Sequence, residues 1–187
     1  DGKIKIIHNK HFGKGSALKA GLKISHGDIV VFFPSDNEFD VNDITKVINP
    51  LVNQEFSMVV GSRAYDSIDL NNRLRRIYNK RSLTFFLSKY GGMLLTIIYL
   101  LRYRRLLGDP LSSFKALNIR ALDDIKGYSN GFDYEIEILA KLYNKKAIVL
   151  EVPVTYKARS KEDGKKMNFK EGLKCLLRLI IVSIRSN

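Results

Sequence analysis

"VVFFPSDNEFD", residues 30–40, joins an apolar run to a short acidic segment. The run is typical of a strand that is buried on both faces, and Pro34 ends such a strand because proline has no N–H to donate to the sheet. Asp36, Glu38 and Asp40 follow directly. In open α/β sheets the ligand crevice lies beyond the carboxyl ends of the strands. The segment therefore predicts an α/β sheet with three carboxylates at its functional edge.

The first 62 residues alternate between strand and helix periods. "IKIIH", "DIVVFF" and "FSMVVG" predict strands, and "GKGSALKAGLKI" and residues 41–51 predict helices. This βαβαβ order predicts a parallel sheet with right-handed crossovers. Further along, "PLSSFKAL" and "AIVLEVPVTY" predict strands, "FDYEIEILAKLYN" and residues 168–184 helices, and "KARSKEDGKKMNFKEG" a loop. We expect an α/β fold with a mostly parallel sheet and helices on both faces.

Length and charge limit the possible functions. A chain of 187 residues that is 45% hydrophobic is expected to form one domain, residues 1–187. The net charge of +13 predicts anionic partners: nucleic acid, phosphorylated ligands or acidic lipid. The sequence has no recognition-helix motif, no aromatic RNA-binding strand and no basic arm, so we expect no nucleic acid partner. The single Cys175 excludes an internal disulfide.

The middle of the chain is basic and apolar. Between Asp69 and Asp109 there is no acidic residue. The nine basic residues there are Arg73, Arg75, Arg76, Lys80, Arg81, Lys89, Arg102, Arg104 and Arg105. They flank "SLTFFLSKY" and "MLLTIIYLL", which Gly91 and Gly92 separate. We predict a basic amphipathic helical hairpin at about residues 72–106, suited to an anionic membrane surface.

The acidic segment predicts a metal site. Asp36 and Glu38 can converge on one hard cation, Mg²⁺ or Mn²⁺, which then bridges to phosphate oxygens. The alternative is that both are solvated. Asp40 is expected to cap the following helix. Arg63, just beyond the strand "SMVVG", is expected on the same rim, where a guanidinium suits phosphate binding, unless it is an ordinary surface arginine.

Lys14 lies between two glycines in "NKHFGKGSALKAG", residues 9–21. A glycine-flanked lysine at the start of a helix offers free N–H groups and a positive dipole end to an anion. The alternative is an ordinary strand-to-helix turn with Ser16 in the first helical turn. The residues alone leave both open.

Seven segments together resemble one family in order and spacing. They are "NKHFGKGSALKAGLKISHGD", "PSDNEFD", "VVGSR", "GDPLSSFKA", "GFDYEIEIL", "EVPVTYKAR" and "GKK". This series resembles the family 2 glycosyltransferases of the polyprenyl-phosphate type, like dolichyl-phosphate mannose synthase. The resemblance implies a Rossmann-like GT-A fold whose first nucleotide-binding strands precede residue 1. We therefore expect residues 1–187 by themselves to be inactive.

The same resemblance implies roles for individual residues. Asp36 matches the second acid of the family's Asp-any-Asp metal motif and Glu38 a later acid, while Pro34 stands where the first acid is usual. Arg63 would meet phosphates and Asp109 would line the acceptor side, so the expected catalytic residues are Asp36, Asp109 and Arg63. The expected substrate-binding residues are Lys14, Arg75, Arg76, Glu137, Arg159, Lys165 and Lys166, of which Glu137 could instead be a structural salt-bridge partner and Arg159 simply exposed.

The function implied by the resemblance is transfer of a hexose from a nucleotide sugar to a polyprenyl phosphate, dolichyl or undecaprenyl, with inversion. The expected cofactor is Mg²⁺ or Mn²⁺. The expected location is the cytoplasmic face of a membrane, peripheral to it, with the lipid surface, the donor and the acceptor as partners. Two alternatives remain: a GT-A enzyme for a polysaccharide or other non-lipid acceptor, and a catalytically silent membrane-associated scaffold.

Overall fold

The computed structural model describes residues 4–9, 13–53, 56–63, 83–122, 129–157 and 169–184. These residues form four strands and five α-helices, with short 3-10 helices at Val41–Asp43 and Ile119–Ala121. In chain order the elements are α1 Lys14–Lys23, β1 Ile29–Phe32, α2 Ile44–Val52, β2 Met58–Ser62, α3 Leu83–Tyr103, β3 Lys115–Asn118, α4 Tyr134–Asn144, β4 Val149–Pro153 and α5 Phe169–Ile184.

The four strands form one sheet in the order β1-β3-β2-β4. Strand β3 is antiparallel to both of its neighbours, and β2 and β4 are parallel. Three strands therefore point the same way and β3 points the opposite way. The expected βαβαβ arrangement of parallel neighbours is corrected here, because β3 lies between β1 and β2. Periodicity identifies a strand, but its direction depends on distant pairing partners.

The strand expected in "IKIIH" is not observed. Residues 4–9 have no regular secondary structure, and Ile4 and Ile6 are 91% and 79% exposed. Alternating apolar residues favour an extended chain, but a strand also needs a neighbour that completes its hydrogen bonds. Among the described strand pairings, none includes residues 4–9.

The prediction of a helical hairpin with a break at Gly91 and Gly92 is also wrong. Helix α3 runs through both glycines as one helix of 21 residues. Each glycine weakens a helix interior by about 0.5–1 kcal/mol relative to alanine, which does not by itself end a helix. In the described part of the chain, Gly13 is the one glycine with positive φ. Residues 72–82, the first part of the predicted hairpin, lie outside the described residues.

The sheet packs against helices on both faces, as expected. All five residues of β2 are buried. Met58 and Val60 belong to the larger core, with side chains of α1, α3, α4 and α5, whereas Val59 packs on the other face against α2 residues Val47 and Leu51. The run "MVVGS" is apolar almost throughout because both faces of this central strand are covered.

Strand direction brings the later site together. The carboxyl ends of β1, β2 and β4 lie at the same edge as the amino end of β3. Four segments meet at this edge: residues 33–40, Arg63, residues 108–114 and residues 154–157. Three follow a strand and one precedes β3.

Substitution of Gly61 tests how tightly β2 is packed. An added Cβ would lie 2.9 Å from Cγ1 of Val154 and 3.0 Å from the ring of Phe114. We predict that Gly61→Ala lowers the free energy of unfolding by about 1–3 kcal/mol, the usual cost of overpacking a core. Urea denaturation of the complete protein measures this loss.

Gly172→Ala is the matched control, because nothing lies within 4 Å of its added Cβ and the residue is inside α5. It should be neutral or stabilising by up to ~1 kcal/mol. Equal stability of the Gly61→Ala variant and the wild type would show that this contact is not tight.

Candidate functional site

The acidic turn after β1 is fixed at two points. Asp36 Oδ1 accepts a hydrogen bond from the backbone N–H of Glu38 at 3.2 Å, and Asn37 between them has φ of 59°. Glu38 Oε2 accepts from the Tyr156 hydroxyl at 3.0 Å, and the Glu38 carbonyl accepts from the N–H of Lys157 at 2.7 Å. The turn is thus attached to the segment that follows β4, 118 residues further on.

Asp40 has the capping role expected for it. Its Oδ1 accepts a hydrogen bond from the N–H of Asn42 at 2.9 Å, at the start of the 3-10 helix that leads into α2. The residue is exposed. The structure thus confirms the prediction that Asp40 is a cap.

The acidic turn has a donor set that fits one kind of metal site. The carboxylates of Asp36 and Glu38 are hard oxygen donors, half-buried and two residues apart. Within the described ranges no group of three or more His, Cys, Asp and Glu side chains is arranged to hold a metal ion. Mg²⁺ commonly uses one or two carboxylates and completes its shell with water and substrate phosphates. The turn therefore fits an ion shared with a phosphate ligand and not an all-protein cage.

Arg63 and Asp109 form a buried ion pair at the same edge. Asp109 Oδ2 accepts from the Arg63 backbone N–H at 3.0 Å and from Nε at 2.7 Å, and Oδ1 accepts from Nη2 at 2.7 Å. The Asp109 side chain is 8% exposed and that of Arg63 28%. Burial raises the pKa of Asp109, but the charge and hydrogen bonds of Arg63 outweigh burial, so the pKa lies below its ordinary value.

Tyr156 connects this pair to the acidic turn. The Arg63 guanidinium lies over the Tyr156 ring, 5.3 Å from its centroid, while the Tyr156 hydroxyl donates to Glu38. Burial, reinforced by Glu38 and opposed by Arg63, raises the pKa of Tyr156 to about 12. The phenol is thus neutral at physiological pH and remains a donor to Glu38.

Glu151, in the middle of β4, holds the backbone that carries Asp109. Its Oε1 accepts from the N–H of Asp109 at 2.7 Å and its Oε2 from the N–H of Gly108 at 2.8 Å. One carboxylate therefore binds two successive peptide N–H groups. Both bonds cross from β4 to the turn before β3.

A second buried ionic cluster lies below the start of β3. Lys115 is fully buried, and its Nζ donates to Glu135 Oε2 at 2.8 Å and to the carbonyl of Ser112. Lys14 pairs with the other oxygen of Glu135 and donates to Ser113. Burial raises the pKa of Glu135, but Lys115 and Lys14 outweigh it, so the net pKa lies below the ordinary value.

The start of α1 has contacts that favour the ordinary turn over the anion site, the two alternatives that the sequence left open. The N–H groups of Gly15 and Ser16 donate to the carbonyls of Gly131 and Asn130, each at 3.2 Å. A Cβ on Gly15 would lie 2.4 Å from the Ser129 carbonyl oxygen, so the glycine permits close packing of two chain segments. Two of the first amides of α1 are thus occupied by protein, which favours the ordinary turn. The substrate-binding role of Lys14 stays a prediction.

Glu137 has contacts of a different kind from those expected by resemblance. Its Oε2 accepts from the N–H of Ser129 at 2.6 Å, and its Oε1 lies 3.4 Å from Lys141 Nζ. These contacts agree with the structural salt-bridge alternative. Its role in a sugar pocket stays a prediction.

Five of the predicted substrate-binding residues cannot be placed. Arg75, Arg76, Arg159, Lys165 and Lys166 lie outside the described residues. Of the other predicted site residues, Asp36, Glu38, Arg63 and Asp109 are brought to one edge through Tyr156. Lys14 belongs to the neighbouring cluster with Glu135.

Sequence reasoning missed Glu135, Glu151 and Tyr156. A signal existed for Glu151, because an acidic residue inside the apolar strand "VLEVP" needs a partner if it is covered. Glu135 and Tyr156 lay within segments that carried the family resemblance, but nothing local distinguished them from their neighbours.

The Arg63–Asp109 pair gives a pH-dependent prediction. We expect Arg63→Met to lower the free energy of unfolding by about 3–5 kcal/mol at pH 7, because it leaves a buried carboxylate unpaired. Since the Asp109 pKa is depressed in the native protein, its stabilisation is complete above the unfolded value near ~3.9 and disappears as pH falls through the folded pKa. Without Arg63, burial raises that pKa, so the deficit of the variant should shrink as the pH falls.

Urea titrations of the complete protein at neutral and acidic pH measure this difference. Arg120→Met is the control, because Arg120 is 82% exposed on the side chain and lies 3.5 Å from the equally exposed Asp28. An exposed pair contributes about 0–1 kcal/mol. A deficit for Arg63→Met that is independent of pH would contradict the assignment of its origin to Asp109.

Two relatives are similar to this chain in sequence. Over 163 residues the chain is 29% identical to dolichol-phosphate mannosyltransferase of Pyrococcus furiosus, a match that covers 87% of this chain and 43% of that one. Over 187 residues it is 27% identical to UDP-N-acetylglucosamine–dolichyl-phosphate N-acetylglucosaminyltransferase of Methanococcus voltae, a match that covers 97% of this chain and 70% of that one.

Among solved structures, the chain is similar to glucosyl-3-phosphoglycerate synthase of Mycobacterium tuberculosis in complex with Mn²⁺, UDP-glucose and glycerol 3-phosphate. The TM-score is 0.62 at 19% identity, and the match covers 91% of this chain and 55% of that chain. The chain thus spans just over half the length of that enzyme and has a GT-A fold. The family model described as glycosyl transferase family 2 matches residues 1–124, and the chain belongs to this family.

Proposed function

We propose that the complete protein transfers a hexose from a nucleotide sugar to a polyprenyl phosphate. The observation that carries the proposal is the meeting of the acidic turn and the Arg63–Asp109 pair at one sheet edge, with Tyr156 in contact with both. Membership of glycosyl transferase family 2 supports the reaction class. The names of two relatives, which use dolichyl phosphate, support the acceptor.

In this proposal Asp36 and Glu38 have different tasks. Glu38 is already hydrogen-bonded through Oε2 to Tyr156, which orients it. Asp36 closes the turn through Oδ1 and would be the main ligand of Mg²⁺ or Mn²⁺, with donor phosphates and water around it. Solved structures of the GT-A neighbour contain Mn²⁺ with UDP-glucose or Mg²⁺ with UDP, which supports use of a divalent ion.

The chemistry needs little acid–base work from the protein. An oxygen of the acceptor phosphate attacks the anomeric carbon, the bond from that carbon to the nucleoside diphosphate breaks, and the configuration inverts in one displacement. The acceptor is already an anion, so no strong general base is required. The metal ion would neutralise charge that develops on the leaving diphosphate.

Arg63 and Asp109 would position the reacting groups. Asp109 uses two of the five N–H donors of the guanidinium, so it fixes the plane of Arg63 and leaves further N–H groups on it. A fixed guanidinium can meet a phosphate oxygen with little loss of conformational entropy. This arrangement suits binding of phosphate at the rim beyond β2.

An apolar surface supports a location on a membrane. We call the exposed side chains of α3, of the residues just after it and of α5 the apolar face; they are Met93, Leu94, Ile97, Leu100, Leu101, Leu106, Leu173, Leu177, Ile180 and Ile181. Arg102, Arg104 and Arg105 are exposed beside it. None of the helices in the described ranges is both long enough and apolar enough to cross a membrane. We propose that the apolar face lies on the cytoplasmic surface of an anionic membrane.

A second candidate is transfer to a water-soluble acceptor. The solved neighbour from Mycobacterium tuberculosis was crystallised with glycerol 3-phosphate, so the same fold accommodates such a ligand in that protein. A radiolabelled nucleotide sugar separates the two candidates. Label in the organic-extractable lipid supports the proposal. A water-soluble labelled product that is distinct from the nucleotide sugar and from free sugar supports the second candidate.

Substitution of Asp36 tests directly whether the acidic turn binds a metal ion. We expect Asp36→Asn to lower the turnover of the complete protein at least ~100-fold, the loss that corresponds to ~3 kcal/mol of charge stabilisation. Glu38→Gln should cost less, because its amide oxygen can still coordinate and accept from Tyr156. Initial rates of lipid-linked sugar formation at several Mn²⁺ concentrations measure both effects.

Asp40→Asn is the matched control, since Asp40 caps a helix and asparagine caps equally well. It should retain nearly full activity. Wild-type turnover by Asp36→Asn, with unchanged dependence on Mn²⁺, would overturn the role given to Asp36.

The membrane surface can be tested separately. Leu101 and Leu106 are 76% and 74% exposed. We expect Leu101→Glu together with Leu106→Glu to reduce co-sedimentation with acidic liposomes by about 10-fold or more, because two apolar contacts are lost and two negative charges are added. Binding of the wild type should also fall as salt increases.

Val52→Glu is the control for this experiment. Val52 is 60% exposed, but it lies at the end of α2 and away from the apolar face. Its substitution should leave liposome binding unchanged. If Val52→Glu and the double variant lose binding equally, the apolar face is not the membrane contact.

A further inference from the structure

We propose that Glu151 is a positioning residue that holds the Gly108–Asp109 peptide, so that Asp109 presents both carboxylate oxygens to Arg63. This inference rests on the proposed function for its catalytic consequence. Its structural part stands on the hydrogen bonds alone. Glu151 was absent from the residues that sequence reasoning selected.

The bonds of Glu151 leave the peptide little freedom. Two carboxylate oxygens meet two successive N–H groups, at 2.7 Å and 2.8 Å. A single bond would permit rotation about its axis, whereas two bonds to adjacent peptide units define the orientation of the Asp109 backbone. Charge-assisted bonds of this kind are stronger than neutral ones.

Glu151 lies within the sheet, so its carboxylate has a fixed position from which to orient the Asp109 backbone. Glu151 pairs with Val60 across the β2–β4 ladder, and Val60 is a buried residue of the central strand. Its carboxylate is therefore attached to the rigid part of the sheet. The residues that it holds, Gly108 and Asp109, belong to a turn without such support from a ladder.

Gly108 has no side chain and so leaves room for the carboxylate of Glu151. A Cβ at residue 108 would lie 3.3 Å from both carboxylate oxygens of Glu151, which is closer than ordinary van der Waals contact. The absence of a side chain at residue 108 lets the carboxylate approach both N–H groups. The same contact offers a way to disturb the carboxylate from the opposite side.

The consequence reaches Arg63 through Asp109. Three hydrogen bonds from Arg63 occupy most of the roughly four acceptor positions of the Asp109 carboxylate. These bonds need the Asp109 side chain at a definite position and angle. Rotation of the Gly108–Asp109 peptide would break some of these three hydrogen bonds and displace the Arg63 guanidinium from the sheet edge.

Two substitutions at Glu151 test the proposal in the complete protein. Glu151→Gln keeps the shape but replaces one acceptor oxygen with an N–H₂ group that faces a peptide N–H, and Glu151→Ala removes both bonds. We expect amide hydrogen exchange of residues 108 and 109, resolved by mass spectrometry with fragmentation, to accelerate about 10-fold or more in both variants. Asp28→Asn, which also removes one negative charge but at an exposed position, should leave this exchange unchanged.

The kinetic constants of Glu151→Gln should change in a way that a general loss of stability would not produce. We expect kcat of Glu151→Gln to fall about 10-fold to 100-fold with little change in the KM for the donor, because a misplaced Arg63 affects the reacting groups more than binding of the donor. Loss of folded protein would lower the active fraction and leave the amide exchange of the folded remainder normal.

Gly108→Ala approaches the same contact from the other side. We expect faster exchange at residue 109 and a lower kcat, while Gly21→Ala, whose Cβ has nothing within 4 Å, should behave as the wild type. In a Glu151→Ala background the added methyl group has room, so Gly108→Ala should then have little further effect. An equal effect of Gly108→Ala with and without the Glu151 carboxylate overturns the proposal.

The two proposals fail in distinguishable ways. If the wild type transfers no sugar to any lipid or soluble acceptor, the proposed function fails, and amide exchange still decides the role of Glu151. If sugar transfer occurs but exchange at residues 108 and 109 is unchanged in Glu151→Gln and Glu151→Ala, Glu151 does not hold the peptide. Should Glu151→Ala not fold, Glu151→Gln and Gly108→Ala decide the question.

Discussion

The ion pair between Arg63 and Asp109 is the interaction on which the arrangement of the edge depends. It joins the end of β2 to the turn before β3, 46 residues apart in sequence. A buried charge without a partner is costly, so the Asp109 carboxylate needs Arg63 beside it. Glu151 extends this constraint to β4 and Tyr156 extends it to the acidic turn. Segments within or next to all four strands are thus connected through the Arg63–Asp109 pair.

The reversed direction of β3 makes this connection possible. A parallel β3 would place its carboxyl end at the edge and carry residues 108–114 to the opposite side of the sheet. In the observed sheet, Phe114 at the start of β3 packs 5.1 Å from Phe33 and 5.4 Å from Phe39, and Phe39 lies 5.0 Å from Tyr156. These centroid distances describe an aromatic layer below the acidic turn. The apolar layer and the polar edge therefore depend on the same strand direction.

Sequence reasoning was successful where the signal is local. Neighbouring residues were enough to predict the strands β1 and β2 and the helices α2 and α4. They were also enough to predict the cap at Asp40 and the position of Arg63 beyond β2. The direction of β3 and the bonds of Glu151 depend on pairs more than 40 residues apart, which no local pattern contains. Glu135 and Glu137 show the same limit on one helix. They lie about 200° apart around α4, and only packing decides which of the two faces Lys115.

The charges of the edge explain how a strongly basic chain can place so many acids near a proposed phosphate site. Asp109 is matched by Arg63, and Glu135 by Lys14 and Lys115. These acids organise cations and do not present unpaired negative charge to a ligand. The net charge of +13 then attracts anions over longer distances. In the proposed function Asp109 orients the Arg63 guanidinium, because a fixed cation binds a phosphate with less loss of entropy than a mobile one. Glu135 has a different task, since it compensates the charge of the fully buried Lys115.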